Sequence, residues 1–469
     1  MTLTQSPGDT ASPRTANPST ILAVLLAAGI SFALTQTIVL PALAVLGREY
    51  GASATATSWV VTGFLLSASV STPIIGKLGD VYGKGRVLTV VLALFALGGT
   101  INALAGSIEL VIAGRVLQGV AGGVFPLSFG IIRDTFPKER VPGAISLISS
   151  VFGVGAGIGL PLSGVIVDHT HPSVVFWISL VALPAAVAAY RVIPPTETVR
   201  GMRIDWTGAL LLSGALALLL LGVTQAPSLG WGSPANVALL LAGAALLVLW
   251  VVVEQRVQQP LIELAVLRKR AVLATNVTGL LTGLAMFSGF LLIPQIAQAP
   301  ESTGYGLGAS VTVAGLLLAP SAVGQLLAGP FAGRLGVSIG FRSTLVIGSL
   351  LSAAAFTLLS FLHSAWWHLA LGGLLLGAGV AFAFASMANL IVAAVEQHEV
   401  GIATGINTVT RTVGGAFGSA ISTAVLASTI GAGGLPSGGG YQLAFGLAAL
   451  MALLAAGSAL RVPVTARAR

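Results

Sequence analysis

Apolar residues run through this chain in long stretches separated by short polar links, and the length of the stretches decides what they are. A helix rises about 1.5 Å per residue, so about 20 mostly apolar residues cross a bilayer. Fourteen stretches reach that length: 21–46, 57–76, 86–105, 108–132, 143–167, 174–193, 206–226, 235–253, 271–297, 311–332, 343–362, 366–394, 402–428 and 442–462. The first is too long for the apolar core of a signal peptide and is expected to be retained. The tenth is set to end at 332, where Gly329, Pro330 and the following loop blur the apolar pattern. Residues 1–20 are polar and rich in Pro, Ser and Thr, and read as a tail; 463–469 form a second one. The pattern predicts an all-α integral membrane protein with fourteen transmembrane helices.

Composition agrees. Of 469 residues, 55% are hydrophobic and 8% charged, and the mean hydropathy is +0.97. A soluble domain carries roughly 25% charged residues, so a soluble enzyme is excluded. The absence of cysteine removes disulfides, thiolate metal sites and a cysteine nucleophile. The formal charge of +8 does not indicate nucleic acid, because the cations are scattered singly between apolar runs. Their distribution fixes an orientation instead. With both termini cytoplasmic, 19 of the 22 basic residues fall on the inner side, Arg48 lies outside, and Arg115 and Arg411 lie within spans. One missed or extra span would invert every later loop and destroy that bias. The short inner loops fit a bacterial inner membrane.

The chain also resembles itself at an offset of 258: Gly114 falls on Gly372, Gly119 on Gly377, Gly143 on Gly401 and Gly157 on Gly415. Spans 1–6 (21–193) then pair with spans 9–14 (271–462), and 206–253 is an inserted hairpin. Parallel halves with a site between them at the midplane are a transporter architecture. No energy-converting or bond-cutting motif accompanies it. Gly76-Lys77 and Gly83-Lys84 lack the upstream glycine and the hydroxyl of a phosphate-binding loop, and His398-Glu399 lacks a second histidine. The expectation is a transporter, not an enzyme, with no cofactor and no metal.

Several motifs carry a family resemblance. Gly76-Lys77-Leu78-Gly79-Asp80-Val81-Tyr82-Gly83-Lys84-Gly85-Arg86 resembles the signature loop between helices 2 and 3 of the major facilitator superfamily. Gly114-Arg115-Val116-Leu117-Gln118-Gly119 looks like its second motif, and Gly159-Leu160-Pro161-Leu162-Ser163-Gly164 like the motif of its exporter branches, with Leu160 and Ser163 where glycines are usual. Asp205-Trp206-Thr207-Gly208, Pro260-Leu261-Ile262 and Arg411-Thr412-Val413-Gly414-Gly415 resemble the fourteen-span drug/proton antiporter branch. The resemblance implies a conformational latch of Gly76, Asp80, Gly83 and Arg86, with Arg133 as a nearby cation. It also implies helix packing and kinking at Gly159, Pro161 and Gly164. An echo at Gly329–Arg334 places Gly333 opposite Asp80, which predicts a weaker latch in the second half.

Buried charge is the last signal. Arg115 and Arg411 must face protein or a wet cavity, because a cation inside a bilayer costs at least about 2.5 kcal/mol. With Thr35, Gln36, Gln118, Asn276, Asn389 and Asn407 they are the candidate substrate or coupling residues. None of the 14 acids lies near a span centre, and Thr35 stands where the antiporter branch usually has an aspartate. An electropositive cavity without an embedded acid suits a neutral, zwitterionic or anionic solute. Proton coupling would then use peripheral acids such as Asp80, Asp134, Asp168 or Asp205. The expected function is efflux of small organic molecules by alternating access, coupled to protons, as a monomer in the lipid bilayer. A facilitator or anion-linked exchanger is the alternative.

Overall fold

The computed structural model describes residues 17–195, 205–431 and 435–463. The expected tails, 1–20 and 463–469, lie almost wholly outside the described residues, as do Asp9, Arg14, Glu197, Arg200, Arg203, Arg467 and Arg469; the side chain of Asp168 is likewise outside. The described chain is helical, with one isolated bridge between Ile430 and Pro436.

The long helices are α1 (Pro18–Glu49), α2 (Ala54–Tyr82), α3 (Lys84–Ala103), α4 (Ile108–Thr135), α5 (Val141–His169), α6 (Pro172–Val192) and α7 (Trp206–Leu229). They continue with α8 (Pro234–Glu254), α9 (Arg270–Gln298), α10 (Thr312–Ile339), α11 (Phe341–Phe361), α12 (Trp366–Ala394), α13 (Val400–Ser428) and α14 (Gly438–Ala459). Side chains of Ser53, Ser107, Asp205, Ser233 and Ser437 accept from first-turn N–H groups and so start helices where the apolar runs begin. Among the described residues, twelve helices contain a stretch long and apolar enough to cross a membrane. The expected fourteen therefore resolves into twelve such helices and two further ones of 29 residues each, α5 and α13. The polar load of α13, Asn407 and Arg411 among its threonines, keeps it out of the apolar set.

Two sequence expectations are corrected at α10. Its helix runs through Pro330 to Ile339 instead of stopping near 332. A proline is tolerated inside a membrane helix when neighbours pack around the break, and Gly329 and Gly333 here lie against Ser150 and Ser146 of α5. The following link is the single residue Gly340, with φ +95°, matching Gly83 between α2 and α3 with φ +93°. Glycine is required at both, because an L side chain is strained there. Counted from these turns, the counterpart of Asp80 is Val337, not Gly333, and the counterpart of Lys84 is Phe341. An added Cβ on Gly336 would meet the Phe341 ring, so packing replaces the charged turn in the second half.

Because successive helices alternate in direction, the α2–α3, α4–α5 and α12–α13 turns and the α8–α9 link share one end of the bundle, here called the charged end. Among the described residues, the buried core clusters run continuously between the halves at that end. One cluster joins Leu25, Phe32, Phe95, Phe125 and Ile145 to Ala388, Ile391, Val395 and Val400. Toward the opposite end the cores are separate, one around Ile38, Val60, Val111 and Phe176, the other around Ile296, Phe356 and Phe445. The α7–α8 hairpin packs on α2 and α13 through Leu212, Trp250, Leu261, Ile74, Ile402 and Val409.

Candidate functional site

Between the halves lies a cavity of about 340 Å³. Ala33, Gln36, Thr37 and Leu40 of α1 and Val61 and Leu65 of α2 line one side; Met286, Phe287 and Phe290 of α9, Gln325 of α10, Phe384 of α12, and Thr408, Arg411 and Thr412 of α13 line the other. Arg411 is the one charged residue among them. Its guanidinium is 4.1 Å from the Phe384 ring centroid and donates to Asn407 Oδ1 (3.4 Å) and Thr408 Oγ1 (3.3 Å). Asn407 in turn donates to Asn276 Oδ1 at 3.0 Å, fixing the amide that holds the arginine. The ring face and these neutral acceptors stabilise the cation. A second space of about 200 Å³ shares Leu65, Phe287, Thr412 and Ser419 with the first and extends to Leu220 and Thr224 of α7.

Arg115 sits in different surroundings. It is 0% exposed, and donates to the carbonyls of Val60 and Thr35 and to Gln118 Oε1, all at 3.1 Å. Gln118 Oε1 also accepts from Asn102, and the Phe64 ring covers the guanidinium at 4.1 Å. These bonds tie α1, α2, α3 and α4 together inside the first half, away from the cavity lining. Thr35 is buried in this cluster and offers its backbone carbonyl, while its neighbour Gln36 faces the cavity. Asn389 also lies elsewhere, donating across the halves to Ser146 Oγ at 3.2 Å. Of the eight expected substrate or coupling residues, Gln36 and Arg411 line the cavity, Asn276 and Asn407 support Arg411, and Thr35, Arg115, Gln118 and Asn389 brace helices.

At the charged end, Asp80 is 1% exposed and pairs with Lys84 Nζ at 3.3 Å; the same ammonium lies 3.0 Å from Asp134. Arg86, one of the two cations expected near Asp80, is exposed. The helix register explains the exchange: Lys84 follows Asp80 by four residues across the Gly83 turn and folds back over it, whereas Arg86 points outward. Asp134 Oδ1 accepts from Gln397 at 2.9 Å and Arg133 donates to the Glu396 carbonyl at 3.2 Å, so both cross to the second half. Lys269 and Glu399 pair at 3.0 Å beside them. Burial pushes the Glu399 carboxyl up, but the Glu396 N–H and the Lys269 ammonium outweigh it and hold the group below its ordinary value. Helices α2 and α13 cross so closely here that a Cβ on Gly76 would stand 2.8 Å from the Gly401 carbonyl carbon. In the exporter-like motif, Gly159 abuts Thr37 of α1 and Gly164 abuts Thr312 of α10, with Pro161 inside α5 between them.

Replacing Lys84 by Met leaves two buried carboxylates without their cation, and the expected loss of stability is about 3–5 kcal/mol. Arg86→Ala is expected to change it by less than about 0.5 kcal/mol. Thermal unfolding of the purified variants separates the two residues. Equal, small effects would mean that Lys84 is not the partner that matters.

Sequence reasoning missed Lys84, the aromatic wall of Phe287, Phe290 and Phe384, and the hydroxyls of Thr37, Thr408 and Thr412. The threonines carried a faint signal, since 408 and 412 flank Arg411 on its helix. Phenylalanines carried none, being equally at home against lipid.

Comparison with known proteins places this geometry. The Major Facilitator Superfamily profile matches residues 25–300 and 278–469. The tetracenomycin C resistance and export protein of Streptomyces glaucescens is 31% identical over 418 residues, covering 88% of this chain and 76% of that protein. The puromycin resistance protein of Streptomyces alboniger is 29% identical, covering 86% of this chain and 81% of its own. In fold, the structure of the human organic anion transporter MFSD10 aligns over 97% of this chain and 100% of that one, with a TM-score of 0.65 at 17% identity. Motifs, halves and profile agree: the chain belongs to the major facilitator superfamily, whose members are multi-pass membrane transporters of small molecules.

Proposed function

We propose that this protein is a secondary-active exporter of small organic molecules that works by alternating access in a bacterial inner membrane. All fourteen long helices cross the bilayer in this reading, with both termini and the charged end cytoplasmic. The single observation that carries it is the inter-half cavity at Arg411, set beneath an end where the two halves are clasped and their cores merge. In that orientation the structure is the outward-facing state. Gly76, Asp80, Gly83, Lys84, Arg133 and Asp134 then form the latch that stabilises it, and separation of Gly76 from Gly401 opens the cavity inward. Arg411 contacts substrate, Asn276 and Asn407 position it, and Arg115 and Gln118 act as a brace. Two relatives named for tetracenomycin C and puromycin resistance support a drug-like organic substrate, and the phenylalanine wall suits an aromatic one.

One observation favours a refinement. The cavity lining holds a cation and no acid, so neutral and anionic solutes bind there better than lipophilic cations. Coupling to protons, in a monomer, is part of the proposal. Expression in an efflux-deficient bacterium tests the exporter reading. Accumulation of tetracenomycin C or puromycin is expected to fall several-fold and to recover with a protonophore. Unchanged accumulation of both, with the protein present in the membrane, would count against it.

A further inference from the structure

The inserted hairpin is anchored by two carboxylates that the latch and the cavity do not use. Asp205 caps α7, with Oδ1 accepting from the Gly208 N–H at 2.9 Å. Glu254, the last residue of α8, is 3% exposed, and its Oε1 accepts from the Ile262 N–H at 2.6 Å. The second oxygen of each, Asp205 Oδ2 and Glu254 Oε2, is buried without a hydrogen-bond partner. Both aim at one point. A Cβ added to Gly208 would lie 2.4 Å from Asp205 Oδ2 and 2.5 Å from Glu254 Oε2, so the two free oxygens are within about 5 Å of each other. The glycine of the Asp205–Gly208 motif keeps that point empty.

The hairpin root packs in a largely apolar cluster with Ala209, Leu212, Leu261, Ile262 and Ile402; the polar groups nearby are the Trp250 indole Nε1, one turn before Glu254 and also buried without a partner, and the Leu261 N–H, which acts on the Glu254 carboxylate. From α2, Lys77 donates to the Pro260 carbonyl at 3.3 Å and acts on Glu254 through its charge. Arg203 lies outside the described residues. Two carboxylates at this separation in an apolar pocket repel, and a proton held between them relieves the repulsion while supplying the missing donor for both free oxygens.

We propose that Asp205 and Glu254 bind a single shared proton at the root of the hairpin, and that this pair is the coupling site the membrane interior lacks. The coupling role rests on the exporter reading; the shared proton does not. Uptake converts two carboxylates into one carboxylic acid hydrogen-bonded to one carboxylate, lowering the pair's negative charge from two to one. Lys77 feels that change, and it directly follows Gly76, which rests on Gly401 at the crossing of α2 and α13. Protonation therefore weakens the hold of the hairpin root on α2 at the contact that keeps the charged end shut.

The test is modification of the full-length protein by dicyclohexylcarbodiimide, an apolar reagent that takes protonated carboxyl groups, read by peptide mass spectrometry across pH. One adduct per molecule on the Asp205/Glu254 pair is expected. If the two carboxylates share a proton, labelling should persist at pH values where an isolated solvated carboxyl no longer reacts. In Asp205→Asn the labelling of Glu254 should be lost at lower pH than in the wild type. No adduct on either residue near neutral pH would overturn the proposal, and the wild-type protein alone decides that arm. An unchanged pH dependence of Glu254 labelling in Asp205→Asn would also overturn it, because burial alone would then explain the proton. In proteoliposomes, Glu254→Gln should lose pH-gradient-driven export by tenfold or more; unaltered gradient-driven export would remove the coupling role. Absence of export by the wild type, with labelling as expected, would instead count against the exporter reading.

Discussion

Arg115→Ala is expected to unfold the first half at markedly lower temperature, with a loss of about 3–5 kcal/mol. The guanidinium is fully buried and serves three acceptors contributed by α1, α2 and α4, so its removal leaves those groups undersatisfied and opens a hole under Phe64. Arg115→Lys is expected to recover less than half of the loss. A single ammonium on a flexible stem cannot address three fixed acceptors as a planar fork does. The readout is the melting curve of detergent-purified protein, alongside substrate affinity in whatever fraction stays folded. A brace predicts lost stability with affinity retained. Normal melting with abolished affinity would make Arg115 a substrate contact instead.

Gly76→Val is the second large effect. The new side chain would collide with the backbone of Gly401 and Ile402, the latter's nitrogen 3.1 Å from the Cβ, and backbone cannot step aside. Overpacking of this kind costs about 1–3 kcal/mol, which moves a two-state equilibrium by roughly 5- to 150-fold. Because the clash exists only while α2 and α13 are together, the variant should favour the state with the charged end open. The chain contains no cysteine, so labels at Tyr82→Cys and His398→Cys report on that end alone. Their distance distribution should lengthen in Gly76→Val, and export should fall about tenfold or more. An unchanged distribution would mean that the glycine contact does not govern closure.

How much of this was legible in the residues follows from what each signal depends on. Helix positions were, because a stretch of about 20 apolar residues has few other fates. Most observed boundaries lie within a few residues of the expected ones. The extension of α10 past Pro330 was not, since it depends on Ser146 and Ser150 of a helix far away in sequence. Arg411 was legible as a buried charge, whereas its aromatic and amide surroundings arise from α9, α12 and α13 meeting in space. Arg115 looked the same in sequence and occupies a different place. Which lysine or arginine closes on Asp80 is a question of register around one glycine. The convergence of Asp205 and Glu254 needs the hairpin to bring residues from its two ends together.

With the cavity at Arg411 as the transport site, the charge of that arginine selects the substrate. Flux in proteoliposomes under an imposed pH gradient tests it most directly, comparing an anionic dye with a cationic dye of similar size, in wild type and Arg411→Gln. The anion is expected to move and the cation not, and Arg411→Gln to reduce anion flux by at least about tenfold. Efficient movement of the cation, with Arg411→Gln indifferent for both dyes, would contradict it.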